Sequence, residues 1–356
     1  MSDCSAEMVE AVAESYAKKQ SLTITGGGTK TNILGRAIDI ANAPILNVSA
    51  HTGIVDYQPS ELVLTARAGT TLSDITAALA SEGQMLSFEP PLFDGRATLG
   101  GTLAGNLSGP ARPWAGAIRD MVLGVQLING KGELLNFGGQ VMKNVAGYDV
   151  SRLQAGALGT LGVLSQISLK VLPKPEYSTT LCYQLNARDA LEQMNIKSAL
   201  PKPLSGACWV EGHMFLRLSG AADAVNQTAK LWGGGQLGDD APVWRQLREM
   251  THPFFHGNDA LWRFSQRPTS PVQEQFGDTL IDWSGAQRWV RGEHPREALE
   301  RAAEEAGGHV SLFRGGDRRS EVKHNASKLE QRLHQRLKYA FDPAGILNPG
   351  RMYSWM

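Results

Sequence analysis

Thr25-Gly26-Gly27-Gly28-Thr29-Lys30 is the stretch whose residue types and spacing most directly suggest chemistry. It follows Leu22 and Ile24, which alternate with Thr23 and Thr25 as a short strand would. Three glycines after a strand let successive N–H groups turn into one concavity, and such a nest binds an anion without a charged side chain. Thr25 and Thr29 add hydroxyl donors. A glycine tract is also compatible with a plain flexible turn. The known phosphate loops do not fit. A Walker A motif needs glycine where Thr29 and Ile24 stand, and a GxGxxG starting at Gly26 needs it at Thr31. Gly100-Gly101 does not complete that pattern, and Gly156-Ala157-Leu158-Gly159 lacks its second glycine. Neither a P-loop NTPase nor a Rossmann fold is supported. A pyrophosphate remains the anion that best matches the chemistry.

A second cluster, Ala97 to Gly109, puts small residues at most positions but includes the polar Thr102, Asn106 and Ser108. So thin a helix lets its backbone lie against a flat ligand or phosphate; close helix packing is the competing reading. A third cluster runs from Gly147-Tyr148-Asp149 to Gly156 and Gly159-Thr160-Leu161-Gly162-Val163. The eight histidines form no HxH, and between His252 and His256 stand Pro253, Phe254 and Phe255, which suggest a turn. No metal site is expected. Cys4, Cys182 and Cys208 make no CxxC, so a zinc or iron–sulfur site held by this chain alone is not expected. Cationic and basic side chains are the ones that could hold a substrate's anionic group or take up a proton. His309, Arg314, Arg112 and Trp114 are the local candidates, none strong enough to be called catalytic, so the catalytic residues stay unassigned.

These residues need elements to position them. A chain of 356 residues suggests about two domains. Of 39 glycines, 15 lie between Gly95 and Gly162, whereas six of eight tryptophans lie between Trp209 and Trp289, so the halves are built differently. Periodicity predicts helices over about 5–19 and 72–80, a hairpin of 122–128 and 133–137, and a strand over 163–172 that ends at Pro173-Lys174-Pro175. Beyond it, strands near 179–185, 205–211 and 214–219 alternate with helices near 187–198 and 221–232, an α+β pattern. Helices near 295–306 and 326–340 follow. Arg314 to Lys338 holds eight basic and three acidic residues, either a solvated face or a docking surface for an acidic partner or membrane. Lys+Arg and Asp+Glu are both 35, which argues against a nucleic-acid binder. No apolar run has the length of a membrane span, and the first residues carry no secretory signal, so the expected location is cytoplasmic.

Taken together and in order, TGGGTK, EPP…ATLGGTLAGNLSGP, AIRDMVLGVQLINGKGELL, KNVAGYDVSRLQAGALGTLGVLSQISLKVLP and FDPAGILNPGR resemble the vanillyl-alcohol oxidase / p-cresol methylhydroxylase family of FAD-binding proteins. The spelling of Lys143 to Gly147 and of Arg112-Pro113-Trp114 is similar to the FAD-binding subunits of bacterial glycolate dehydrogenases. The resemblance implies an α+β fold: a two-subdomain PCMH-type FAD-binding domain (1–175), an α+β cap (176–335), and a segment (336–356) returning to the FAD domain. It implies that Thr25, Gly26, Gly27, Gly28, Thr29 and Lys30 wrap the FAD pyrophosphate. Pro90, Leu99, Gly100, Gly101, Ala104, Gly105, Asn106 and Ser108 would lie along the cofactor. Arg119 and Asp120 would sit on the adenine side; Gly159, Thr160, Gly162 and Val163 would pass it by main chain; Asn348 and Arg351 would close the site. Neither glycine loop has the His or Cys that would attach FAD, so non-covalent FAD is expected. The His-rich segment of the related catalytic subunits is absent. The implied partners are therefore a paralogous catalytic flavin subunit and an iron–sulfur subunit, with a small 2-hydroxy acid such as glycolate or D-lactate as substrate. Such a complex would also bring the chain to the cytoplasmic face of the inner membrane. A self-sufficient FAD oxidoreductase and a structural subunit with a non-redox FAD site stay open.

Overall fold

A computed structural model describes residues 2–38, 43–139, 149–238 and 241–356. Lys143 to Gly147 and Tyr148, which carry part of the resemblance, lie outside the described residues. The fold is α+β. Its first half holds a parallel strand pair, Thr23–Thr25 with Ile45–Asn47, and a five-stranded antiparallel sheet. That sheet runs in the order Ile54–Gln58, Val63–Arg67, Val163–Lys170, Val122–Ile128, Leu134–Gly138. Leu64, Leu127, Ile167 and Leu169 point from it into a core filled by Leu72, Ile75 and Leu79 of the helix Leu72–Ser81. Thr71 caps that helix by accepting from the Asp74 N–H at 3.1 Å.

The second half is an eight-stranded antiparallel sheet, in the order Gly235–Leu237, Tyr177–Gln184, His213–Gly220, Leu204–Val210, Thr279–Asp282, Gln287–Arg291, Leu261–Ser265, His309–Arg314. Side chains alternate faces along a strand, and here the alternation sets what each face does. Trp262, Phe264, Val310 and Leu312 pack under the helix Arg296–Glu305. Leu261 and Phe313, on the opposite face, join Trp289 in a core that includes Ile33, Leu34 and Leu107 of the first half. One sheet face thus lies against the glycine-rich domain, and Arg263 and His309 share its register.

Polar contacts reinforce this junction. The Trp283 indole N–H donates to the Gly109 carbonyl at 3.0 Å, and the Arg112 guanidinium lies 4.5 Å from the Trp283 ring centroid. Glu249 accepts the N–H groups of Leu92 and Phe93 at 3.0 and 2.9 Å. The helix Lys328–Phe341 spans residues 335 and 336, so the chain is continuous helix there.

Candidate cofactor-binding site

Residues 23–32 form one wall of a cleft of about 380 Å³. The opposite wall is Thr98, Gly101, Ala104 and Gly105, with Leu158, Asn348 and Arg351 closing one side and Leu34, Ile38 and Ile45 supplying apolar surface. The loop needs its glycines for different reasons. A Cβ on Gly27 would stand 1.9 Å from the Arg96 carbonyl oxygen, while Gly28 has φ +69° and open space around it. Gly101 and Gly105 belong to the short helix Leu99–Gly105, whose other face buries Leu99, Gly100, Thr102 and Leu103. A Cβ on Gly105 would come within 3.2 Å of the Lys30 stem, so the bare helix face is what lets Lys30 lie across it.

Lys30 is the cation of this cleft. Its ammonium donates to the Thr29 hydroxyl at 3.2 Å and sits 5.2 Å from the Phe93 ring centroid. No carboxylate pairs with it among the described residues, and burial pushes its pKa down to about 8. A loop of backbone N–H groups beside an unpaired, partly desolvated ammonium suits a pyrophosphate. The oxygens Thr102 Oγ1, Asn106 Oδ1 and Ser108 Oγ, on and just beyond the glycine helix, are buried with no hydrogen-bond partner. Buried polar atoms in a native chain seldom stay unpaired, which points to a missing ligand or water. By the loop and the Lys30 ammonium the residues of the cleft fit the FAD pyrophosphate, while the three unpaired oxygens lie outside that cleft.

The segment after Phe341 secures the loop. Asn348, with φ +44°, accepts the Ile24 N–H through Oδ1 and donates through Nδ2 to the Leu158 carbonyl, both at 2.8 Å. Arg351 donates to the carbonyls of Lys30 and Thr31 at 3.1 and 2.8 Å and to that of Arg36. Gly159 lies beside Asn348, where a Cβ would meet its amide nitrogen at 2.7 Å.

The structure therefore gathers Thr25 to Lys30, Gly101, Ala104, Gly105, Asn348 and Arg351 on one cleft. Leu99 and Gly100 support it from the core side, Gly100 packing on Ala68. Asn106 lines a second cavity, and Ser108 a third, small one of about 30 Å³. The remaining expected residues lie elsewhere. Pro90 is buried next to Glu89, which ion-pairs with Arg217 at 2.8 Å. Arg119 and Asp120 are exposed, and the Asp120 carboxylate accepts the Ala117 N–H at 2.8 Å, a capping role. Thr160 is buried with its hydroxyl donating to the Ala157 carbonyl. Gly162 packs on Leu127, and Val163 pairs with Ile128 inside the five-stranded sheet.

Of the substrate candidates, Arg112 is occupied by Trp283, Trp114 packs in the cap core, and Arg314 donates to the Phe255 carbonyl. His309 lines the second cavity with Arg263, Lys323 and His334, which sequence reading missed because they are far apart in the chain. His252 and His256 flank a single 3₁₀ turn, Pro253–Phe255; the His252 ring accepts the Phe254 N–H and the His256 ring faces the Thr251 carbonyl. Among the described residues no group of three or more His, Cys, Asp or Glu is gathered as a metal site.

This architecture, with a glycine-lined cleft in one half and an antiparallel cap in the other, defines an FAD-linked oxidase. The profile described as FAD binding domain matches residues 3–138, and that described as FAD linked oxidases, C-terminal domain, matches residues 302–352. The fold is similar to that of alkyldihydroxyacetonephosphate synthase, with a TM-score of 0.66 at 14% identity over 97% of this chain and 75% of that one. The chain is 43% identical to the glycolate oxidase subunit GlcE of Escherichia coli strain K12, over 99% of this chain and 98% of that protein. It is also 30% identical to the glycolate oxidase subunit GlcD of Bacillus subtilis strain 168, over 47% of this chain and 35% of that protein. The chain belongs to the FAD-linked oxidoreductase family that includes the glycolate oxidase subunit GlcE, and FAD is its cofactor.

Proposed function

We propose that this chain is the FAD-carrying subunit of a multi-subunit glycolate dehydrogenase. The complex oxidises glycolate, with D-lactate as a second substrate, to the 2-oxo acid. The observation that carries this reading is full-length similarity to a glycolate oxidase subunit, together with a cleft that fits a pyrophosphate. The flavin, when bound, supplies the redox chemistry, and the protein supplies its position and electrostatics. Residues 25–30 hold the pyrophosphate, Lys30 neutralises it, Asn348 and Arg351 keep the loop in shape, and Gly101 and Gly105 admit the cofactor along the helix. Among the described residues no His or Cys lines the cleft, which supports non-covalent FAD. The division into an FAD domain (1–175), a cap (176–335) and a returning segment (336–356) is part of this reading.

Electrons leave through partners: a paralogous flavin subunit and an iron–sulfur subunit. Cys4 precedes the helix Ser5–Lys18, Cys182 and Cys208 stand on different strands, and Cys208 is fully buried, so in this reading a cluster belongs to another chain. No helix among the described residues is long and apolar enough to cross a membrane, and membrane contact at the cytoplasmic face is through the complex.

The test is glycolate-dependent dye reduction by the assembled complex, carrying either the native chain or an FAD-deficient variant that still assembles. Loss of activity with the variant is expected. Full activity would make this a structural subunit. Fast flavin bleaching of the isolated chain by glycolate would make it self-sufficient, a reading favoured by the cations of the second cavity.

A further inference from the structure

The basic run from Arg314 to Lys338 divides once its side chains are placed. Arg314 donates to the Phe255 carbonyl, and Arg318 to those of Leu312, Phe313 and Gly35. Lys323 lines the second cavity, Arg319 stands beside Asp317, and Lys338 pairs with Asp342. That leaves Lys328, Arg332 and Arg336, all exposed on the helix Lys328–Phe341. None of the three side chains has an ion pair or hydrogen bond among the described residues.

At 3.6 residues per turn these three cations fall on one strip. Leu329, Leu333 and Ala340 run along one side of it, and Tyr339 lies within it. Leu329 is 67% exposed, Leu333 50% and Tyr339 72%. No carboxylate shares this face. The one acid of the helix, Glu330, accepts the Ser327 N–H at 2.7 Å as part of the cap. The opposite face is already packed: His334 and Leu337 line the second cavity and Lys338 is buried. The Tyr353 and Trp355 rings, stacked 4.7 Å apart, lie against His334 on one flank.

A solvated helix face is ordinarily polar, with its apolar residues turned to the core. Here two leucines one turn apart stand in solvent beside charge of a single sign. Apolar contacts bordered by unpaired charge are the anatomy of a protein interface, and Tyr and Arg are its favoured anchors. A single-sign strip selects a partner surface of the opposite sign. A helix lying in a membrane surface instead keeps a broad apolar face apart from its charges. This helix has its broad apolar side against the protein, and Tyr339 sits among the cations, so the arrangement favours a protein.

We propose that the outer face of this helix docks a partner subunit that offers an apolar groove to Leu329 and Leu333 and carboxylates to Lys328, Arg332 and Arg336. The docking surface rests on the exposures and charges; that its occupant is a subunit of the complex rests on the proposed function. Docking here brings the partner within one helix width, about 10–12 Å, of the cavity that shares Leu34, Gly105 and Leu158 with the cofactor cleft.

The test uses the assembled complex carrying the native chain or a variant, its FAD content measured first and its dissociation on dilution followed by mass photometry. Leu333→Asp, and Arg332→Glu together with Arg336→Glu, should each weaken assembly about tenfold or more. FAD content should stay unchanged, because these side chains lie in solvent and outside the cofactor cleft. Added salt should loosen the native complex but barely affect one carrying Arg332→Gln and Arg336→Gln. Native-like assembly with either the aspartate or the double glutamate variant would overturn the inference. Intact assembly with loss of binding to vesicles of phosphatidylglycerol and phosphatidylethanolamine would overturn it in favour of a membrane surface. A native chain that enters no complex would instead overturn the proposed function, so the native arm tells the two failures apart.

Discussion

At Gly27 even alanine would press on the Arg96 carbonyl, so a substitution there tests loop shape before it tests charge. Gly28 is the better probe, because nothing lies within 4 Å of a Cβ and its left-handed φ is one that Asp and Asn both tolerate. Gly28→Asp should weaken FAD about a hundredfold or more through like-charge repulsion in the cleft, whereas Gly28→Asn should stay within about tenfold of the native chain. Flavin-quenching titrations of apo-protein decide this, and equal losses would show that the backbone matters and the charge does not. Lys30 makes a pH prediction. Its folded-state pKa is depressed to about 8 by burial, so the unfolded chain holds more protons above that pH and apo stability rises with pH through this window. A pyrophosphate reverses the shift. FAD affinity should therefore be greatest below about pH 8 and fall as Lys30 deprotonates, and Lys30→Arg should flatten the curve. A flat native profile would remove Lys30 from the site. What was legible here was contiguous: Gly26 to Lys30 and Gly101 to Gly105 announce themselves by composition. His309 stands out as a local candidate, but Arg263, Lys323 and His334 do not, since only the sheet register and the crossing helix bring the four together.

Elements are held in place chiefly by the returning segment. Lys338 is 7% exposed and Asp342 1%, and they pair at 2.6 Å. The Lys338 ammonium also donates to the carbonyls of Thr160 and Leu347, and Asp342 accepts the N–H groups of Ile346 and Leu347. Asp342→Ala would leave a buried ammonium without its counter-charge and two N–H groups unpaired, a loss of about 3–5 kcal/mol. Lys338→Met with Asp342→Leu should cost less, because both charges go together. Urea unfolding measures both, and a double variant as unstable as the single one would show that packing, not charge, is at stake. The helix itself was readable in the sequence, as was the hairpin at residues 122–138. This pairing was not, because an i,i+4 Lys–Asp pair reads as surface until tertiary contacts bury it.

At the scale of the whole molecule the two halves meet across the cap sheet, and the sequence foreshadowed the halves through their glycine and tryptophan distributions but not which face would meet. That depended on alternation within strands that are apolar on both sides, Leu261 and Phe313 toward one half, Trp262 and Leu312 toward a helix. The contact between Ile24 and Asn348 joins residues 324 positions apart. On a ribosome adding about 5–20 residues per second, the loop waits on the order of half a minute for the asparagine that fixes it. Nascent chains therefore carry the nucleotide cradle unbraced until synthesis is almost finished, and firm seating of the coenzyme waits for the last residues to fold back.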